Sequence, residues 1–480
     1  MLKKLVNRLF SRGGKRAAGA PKIIPRKDHG IARGSISSGA LKVTQSLQAA
    51  GFKAYIVGGA VRDLLLGMAP KDFDVATSAT PEEVHRVIRR SRIIGRRFRL
   101  VHCMFGRDTV EVATFRGTDA PDGDDTDAEH GAIQKDAHGR LLRDNLFGSQ
   151  AEDAARRDFT INAMFYDPAT ETVHDYHGGV ADIRAKRVRI IGDPAGRYRE
   201  DPVRMLRAVR FAARLGFTID EATRAPIGRL APLLENVPSS RLFEEMLKLL
   251  LCGHAMECVT QLRRHGLHKG LLPLLDVILE QPLGERFVRL ALEQTDQRIR
   301  DEKSIAPAFL FAALLWHEVL AALKKLEAGG ERPATALFIA MDQVLDAQCE
   351  KLAITRRFTI TMKEVWSLQP RLDNYSGKRP LKLLEHPRFR MGYDFLLLRI
   401  ASGEAPTDAG AWWEIFQFAD PADRLAMLLP DSGPLKKRRR RKRKSSAGGP
   451  ASLAENEAGS DAYSLPLSDV DDDPDTKHGA

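Results

Sequence analysis

Apolar residues recur at two different periods along this chain of 480 residues. Near the start the period is two. "KAYIVGG" at 53–59 is a short β-rich run closed by Gly58 and Gly59, "AVRDLLLG" reads as a brief helix stopped by Gly67, and "DFDVAT" at 72–77 alternates like a strand. Strand side chains repeat every second residue, so Asp72 and Asp74 are expected on one face, with Phe73 turned into the core. "TPEEVHRVIRR" opens with a Thr80 cap and Pro81 at the first helical position. "VEVATF" at 110–115 is another alternating strand, with Glu111 and Ala113 sharing a face. Further on the period lengthens. Asp201 as N-cap, Pro202 and a stop at Gly216 predict a helix with Met205, Leu206, Ala208, Val209, Ala212 and Ala213 on one side. Arg204, Arg207, Arg210 and Arg214 form a stripe on the other, either a solvated face or a nucleic-acid contact. Residues 236–430 keep a helical period with Pro and Gly breaks and show no fixed-length repeat.

With 43% hydrophobic residues, a chain of this length can bury sizeable cores in several domains. No apolar run approaches the roughly 18 residues of a bilayer span, and "MLKKLVNRLFSRGGKR" lacks the apolar core and cleavage site of a secretion signal. A cytoplasmic protein with no membrane span is expected. Four irregularly spaced cysteines, Cys103, Cys252, Cys258 and Cys349, read as packing residues in a reducing compartment. The formal net charge of +12 sits at the ends. Residues 1–33 carry +9, Lys436, Lys437, Arg438, Arg439, Arg440, Arg441, Lys442, Arg443 and Lys444 add nine consecutive charges, and 445–480 hold −7. A near-neutral body with basic, Gly/Ala/Ser-rich arms fits a polyanion partner.

The chemistry follows from the carboxylates. Asp72 and Asp74 on one strand edge, with Glu111 from a neighbouring strand, suit two Mg²⁺ ions completed by nucleotide phosphates. Gly58 and Gly59 at a helix entry let backbone N–H groups approach phosphate oxygens. A D-x-D alone also marks turns and solvated strand edges. The acidic stretch "TDAPDGDDTDAEH" at 118–130 lacks the spacing of a calcium loop and reads as a surface loop. "AWWEIFQF" is expected to place at least one tryptophan in the core.

The combination is more specific than its parts. "GGAVRDLLLG", "KDFDVAT", "EVATFRG", "RRDFTINAMFYD" and "EDPVRMLRAVRFAARLG" closely resemble the class II nucleotidyltransferases, the family of bacterial poly(A) polymerases and CCA-adding enzymes. "RIIGRRFRLVHCMFG" and "LLRDNLFGSQAEDAARRDFT" resemble the poly(A) polymerase branch. The resemblance is strong over about 53–250 and weaker to about 430. It implies an α+β fold: a mixed-sheet nucleotidyltransferase head at 34–190, a helical neck at 191–265 and a helical body at 266–430. A flexible basic segment at 1–33 and a disordered basic, then acidic tail at 431–480 flank them.

Carried over, the metal-binding aspartates fall on Asp72 and Asp74, with Glu111 and Asp158 also catalytic. Gly58, Gly59, Arg62, Asp63, Arg157, Asn162, Asp201, Arg204 and Arg207 fall on nucleotide-binding positions, with Asp201 and Arg204 facing the base. Arg210, Arg214 and the Lys436–Lys444 run are assigned to RNA. The "RRDF" stretch also fits a surface ion-pair turn, and Asp158 fits ribose positioning as well as catalysis. The implied activity is addition of AMP from ATP to RNA 3′ ends, with RNA turnover and the RNA-degradation machinery as its setting. A CCA-adding enzyme and a catalytically silent RNA-binding protein are the alternatives.

Overall fold

The period-two stretches form strands, most of them four residues long, and eight join in one mixed sheet. They are β1 (Lys22–Pro25), β2 (Ala54–Val57), β3 (Asp74–Thr77), β4 (Ser91–Ile94), β5 (Leu100–Phe105), β6 (Asp108–Thr114), β9 (Met164–Asp167) and β10 (Thr172–Asp175). β7 (Gln134–Lys135) and β8 (Leu141–Arg143) form a separate antiparallel pair. The sheet order is β1-β10-β9-β2-β3-β6-β5-β4, and only β3 and β6 run parallel. The structure is a computed structural model describing residues 19–95, 99–106, 108–117, 134–135, 141–143, 147–267, 282–350, 352–374 and 376–429. The 118–130 loop and the 431–480 tail, with Lys436–Lys444, lie outside the described residues.

Alternation along the wholly buried β2 separates two cores. On one side Ala54 packs with Val43 and Leu47 of helix Ser38–Ala49 and with Val75, Val101, Val110 and Val112. On the other, Tyr55 and Val57 pack with Ala76, Phe115, Ala154 and Phe165. A third and larger core runs from Ile24 and Ile56 in the sheet through Met205 and Leu206 to Leu314 and Trp366. Head, neck and body therefore share one buried core in addition to the separate cores that the head and the body close for themselves. Thr80 makes the expected cap, reinforced by Glu83 in a capping box.

Beyond the head the chain is helical, including Val203–Leu215, Ser239–Leu250, Ala255–Arg264, Pro307–Ala328, Arg356–Leu372 and Thr407–Phe418. Among the described residues one helix, Pro307–Ala328, is long and apolar enough to cross a membrane by length and composition, a stretch that the search for unbroken apolar runs does not pick out. Its Leu310, Leu314, Leu315 and Trp316 are buried, and the Trp316 indole donates to Glu404, as in a core helix. Trp413 is fully buried and donates to the Leu372 carbonyl.

Two expectations need correction. The basic segment 1–33 is not flexible throughout: Lys22–Pro25 pairs with β10, Ile24 and Ile31 are buried, and Arg26 bonds Glu171 at 2.7 Å. Two buried isoleucines and a paired edge outweigh the local charge. Nor are the cysteines uniformly packed, since Cys349 is exposed and the Cys252 and Cys258 sulfurs meet at 3.5 Å.

Candidate active site

The site starts at a glycine. Gly58, between β2 and helix Gly59–Leu65, adopts φ 73° and ψ −135°, a region that side chains disfavour. A Cβ there would stand 3.4 Å from Arg157 Nη1 and 3.8 Å from Asp74 Oδ2, so the missing side chain brings backbone, guanidinium and carboxylate together.

Asp74 opens β3 and is registered against Val57 on one side and Glu111 on the other. The parallel pairing sets Asp74 and Glu111 side by side on one face of the sheet. His102 on β5 is the next neighbour, its Nε2 3.2 Å from Glu111 Oε1. Burial, then Glu111, then Asp72 push the Asp74 carboxyl up to about 6, with Arg157 pulling the other way. Water still reaches Asp74. Asp72 differs from its expected place inside the strand: it precedes β3 in an exposed non-strand stretch, and its charge acts on Asp74 from there. Phe73 packs against the core, as the alternation predicts.

Asp158 is placed elsewhere. Its Oδ1 accepts from the Phe159 backbone at 2.7 Å and from Asn162 at 3.3 Å, and its Oδ2 meets Arg207 Nη2 at 2.7 Å. These partners outweigh burial and hold the carboxyl below the ordinary range. Both oxygens are engaged within the chain, an arrangement that favours the positioning reading of Asp158 over the catalytic one. Asn162 also accepts from Arg62 at 2.8 Å, Arg62 pairs with Asp63 at 2.7 Å, and Arg214 reaches Asp63 at 3.7 Å. Phe211 is buried inside this chain, edge-on to Phe159, with the Arg62, Arg207 and Arg210 guanidiniums 5.3, 5.9 and 4.6 Å from its ring.

The arginine stripe is thus neither a solvated face nor an open RNA surface. Arg207 and Arg214 pair with head residues, Arg210 covers Phe211, and Arg204 is buried against Glu200 at 2.8 Å. Arg214 is engaged by Asp63 of the head and Arg210 by the Phe211 ring next to it on the same helix, so neither lies on the open face expected for RNA. Asp201 is also displaced. Helix Val203–Leu215 begins after Pro202, and Asp201 ends the preceding helix Pro194–Glu200, where its Oδ2 accepts from Arg241 at 2.7 Å. Its Oδ1 is buried without a partner among the described residues.

A cationic cluster beside the site adds Arg116, Arg156 and Arg197, which were not singled out from sequence, to Arg204, which was; Arg116 and Arg156 lie inside the quoted motifs, whereas Arg197 precedes the last of them. Arg197 bonds Glu200 and the carbonyls of Arg156 and Arg157, and Arg204 shares Glu200. Burial and the nearby Arg116, Arg197 and Arg204 bring Arg156 down to about 10. More guanidinium than carboxylate is gathered there, which favours a bound polyanion.

Residues 54–189 match the family described as "Poly A polymerase head domain". Residues 216–279 match "Probable RNA and SrmB- binding site of polymerase A" and 329–446 match "Polymerase A arginine-rich C-terminus". Poly(A) polymerase I of Salmonella typhi is 48% identical over 413 residues, 85% of this chain and 88% of that one. The chain belongs to the poly(A) polymerase family. A CCA-adding enzyme of Latilactobacillus sakei is 34% identical over 266 residues, 55% of this poly(A) polymerase family member and 62% of the relative. The solved structure of a CCA-adding enzyme in its apo form II shares the fold, with a TM-score of 0.54 at 17% identity over 83% of this chain and 88% of that one.

Proposed function

We propose that the protein is a template-independent polynucleotide adenylyltransferase that transfers AMP from ATP to RNA 3′ ends. The observation that carries the reading is the registered pair Asp74 and Glu111 beside Gly58, in a chain 48% identical to a poly(A) polymerase over 85% of its length. In the reaction the terminal 3′ oxygen attacks the α-phosphorus of ATP, the bond to the β-phosphate oxygen breaks, and pyrophosphate leaves.

The carboxylates fit divalent metal. Asp74 has its carboxyl raised by burial, Glu111 and Asp72, an excess of negative charge that a hard cation relieves. Asp72 and Asp74 would hold Mg²⁺, which when bound lowers the pKa of the attacking hydroxyl and offsets charge on the phosphates. Gly58 leaves room for the phosphates to approach the backbone. Arg157, Arg197 and Arg156 would draw the triphosphate into line. Asp201 Oδ1 is left to accept from an adenine amino group, with Arg204 beside it. The setting proposed is the cytoplasm, where tailing feeds RNA to the degradation machinery.

Incubating the protein with a short RNA, Mg²⁺ and each nucleotide separately tests the reading. A homopolymer of A from ATP alone, with little product from CTP, GTP or UTP, is the expected result. A finite CCA addition restricted to tRNA would replace it with the CCA-adding activity.

A further inference from the structure

Three cations in the helical body converge on a cavity that no step of AMP transfer uses. Arg371 lies near the end of helix Arg356–Leu372, and Arg379 and Lys382 lie on the short helix Arg379–Leu384. Together with Pro370, Asn374 and Leu383 they line a cavity of about 190 Å³. Each of the three is exposed, and none has a side-chain hydrogen bond or ion pair among the described residues. Three other arginines of the same region are paired: Arg388 with Glu364, Arg390 with Asp394 and Arg399 with Asp373. Asp373 is the acid closest in sequence to Arg371, and its bond to Arg399 engages it elsewhere. Glu385, the acid that follows the short helix, is not part of the lining.

The volume decides what kind of anion fits. Pockets for whole small molecules occupy roughly 300–1,000 Å³, so this one accepts a group and not a complete nucleotide. Two planar guanidiniums and an ammonium suit the tetrahedral oxygens of a phosphate. The apolar share of the lining, Pro370 and Leu383, is too small to hold an acyl chain or a base. We propose that Arg371, Arg379 and Lys382 hold an internucleotide phosphate of the RNA strand upstream of its 3′ end. The inference rests on the polyadenylation reading for its partner, and it adds a fixed backbone contact on the folded body.

The test uses the full-length chain carrying Arg371→Gln, Arg379→Gln and Lys382→Gln together, with Arg379→Lys as the charge-preserving control. Affinity for a labelled single-stranded RNA, long enough to reach the body, is measured by fluorescence anisotropy across salt. Each phosphate lost makes the slope of log affinity against log salt about 0.7 less negative, so a fourfold rise in salt costs the parent about 2.6-fold more affinity than the variant. Arg379→Lys should keep the parental slope. AMP addition to a primer of a few nucleotides should be unchanged, because such a primer ends before the body. Equal affinity and slope in parent and triple variant would overturn the proposal. It would also be overturned if inorganic phosphate raised the melting temperature of the parent but not of the variant while RNA slopes stayed equal, since the cavity would then serve a free anion. If the parent adds no AMP to any primer, the functional reading falls, while the binding comparison still decides the cavity.

Discussion

Two groups of carboxylates lie close together in the head, and the fold treats them in opposite ways. Asp74 and Glu111 share one face of the sheet, with Asp72 just before β3 and Arg157 as the main cationic influence on Asp74, whose carboxyl is raised to about 6. Asp158 and Asp63 stand where the head meets helix Val203–Leu215, and each is matched by guanidiniums. The first group keeps charge that the protein does not neutralise, and the second converts charge into attachment. A raised carboxyl marks the place left for a ligand, whereas a lowered one marks an internal joint.

The largest expected difference is in turnover. Asp74→Asn should lower AMP transfer by more than the roughly 100-fold that loss of a supporting metal contact alone can cause, measured as single-nucleotide addition. Stability should move the other way. A carboxyl whose folded pKa lies above its ordinary value destabilises the native state increasingly as pH rises from the ordinary range to about 6, and by a constant amount above that. Asp74→Asn should therefore leave the melting temperature equal or higher at pH 7, with no gain near pH 4. A clear loss of stability at pH 7 with preserved turnover would reverse the comparison.

Asp158→Asn should behave as the mirror image. It leaves Arg207 without its carboxylate partner, at a cost of about 1 to 3 kcal/mol for an unsatisfied group, read from urea unfolding. Because the Asp158 carboxyl is lowered in the folded state, its contribution is present at neutral pH and disappears as pH falls through that lowered value. The gap between parent and variant should close in acid, and a gap that persisted there would assign the loss to packing.

The smallest effect is expected at the far end of the same chain of contacts. Arg214 is one-third exposed and 3.7 Å from Asp63, so Arg214→Gln should cost less than about 1 kcal/mol. A larger loss in thermal unfolding would show that the joint acts as one cooperative unit.

Strands and caps were legible because their rules are local. Alternation placed β2, β3 and β6, and Thr80 with Pro81 marked a helix start that Glu83 completes. The same dipeptide logic separated at Asp193-Pro194 and Asp201-Pro202. Asp193 does cap its helix, accepting from Gly196 at 2.7 Å, whereas Asp201 is captured by Arg241, forty residues away, and leaves its helix without a side-chain cap. The arginine stripe failed for a related reason. Helical periodicity gives the side on which Arg204, Arg207, Arg210 and Arg214 fall, but it carries no information about whether another domain covers that side. Asp158, Asp63 and Phe159 from the head do cover it. For Asp72 the shared face required a strand longer than the one that forms.

β1 closes the sheet beyond β10 with a four-residue register from Lys22↔Asp175 to Pro25↔Thr172. A chain shortened to begin after Pro25 would present Thr172–Asp175 as a row of unpaired amides and carbonyls, a template on which strands of other molecules can grow. With β1 in place the edge passes to a four-residue strand that starts at Lys22 and ends at Pro25, which cannot donate from its own nitrogen, so the outermost strand is a poorer template than the one it covers.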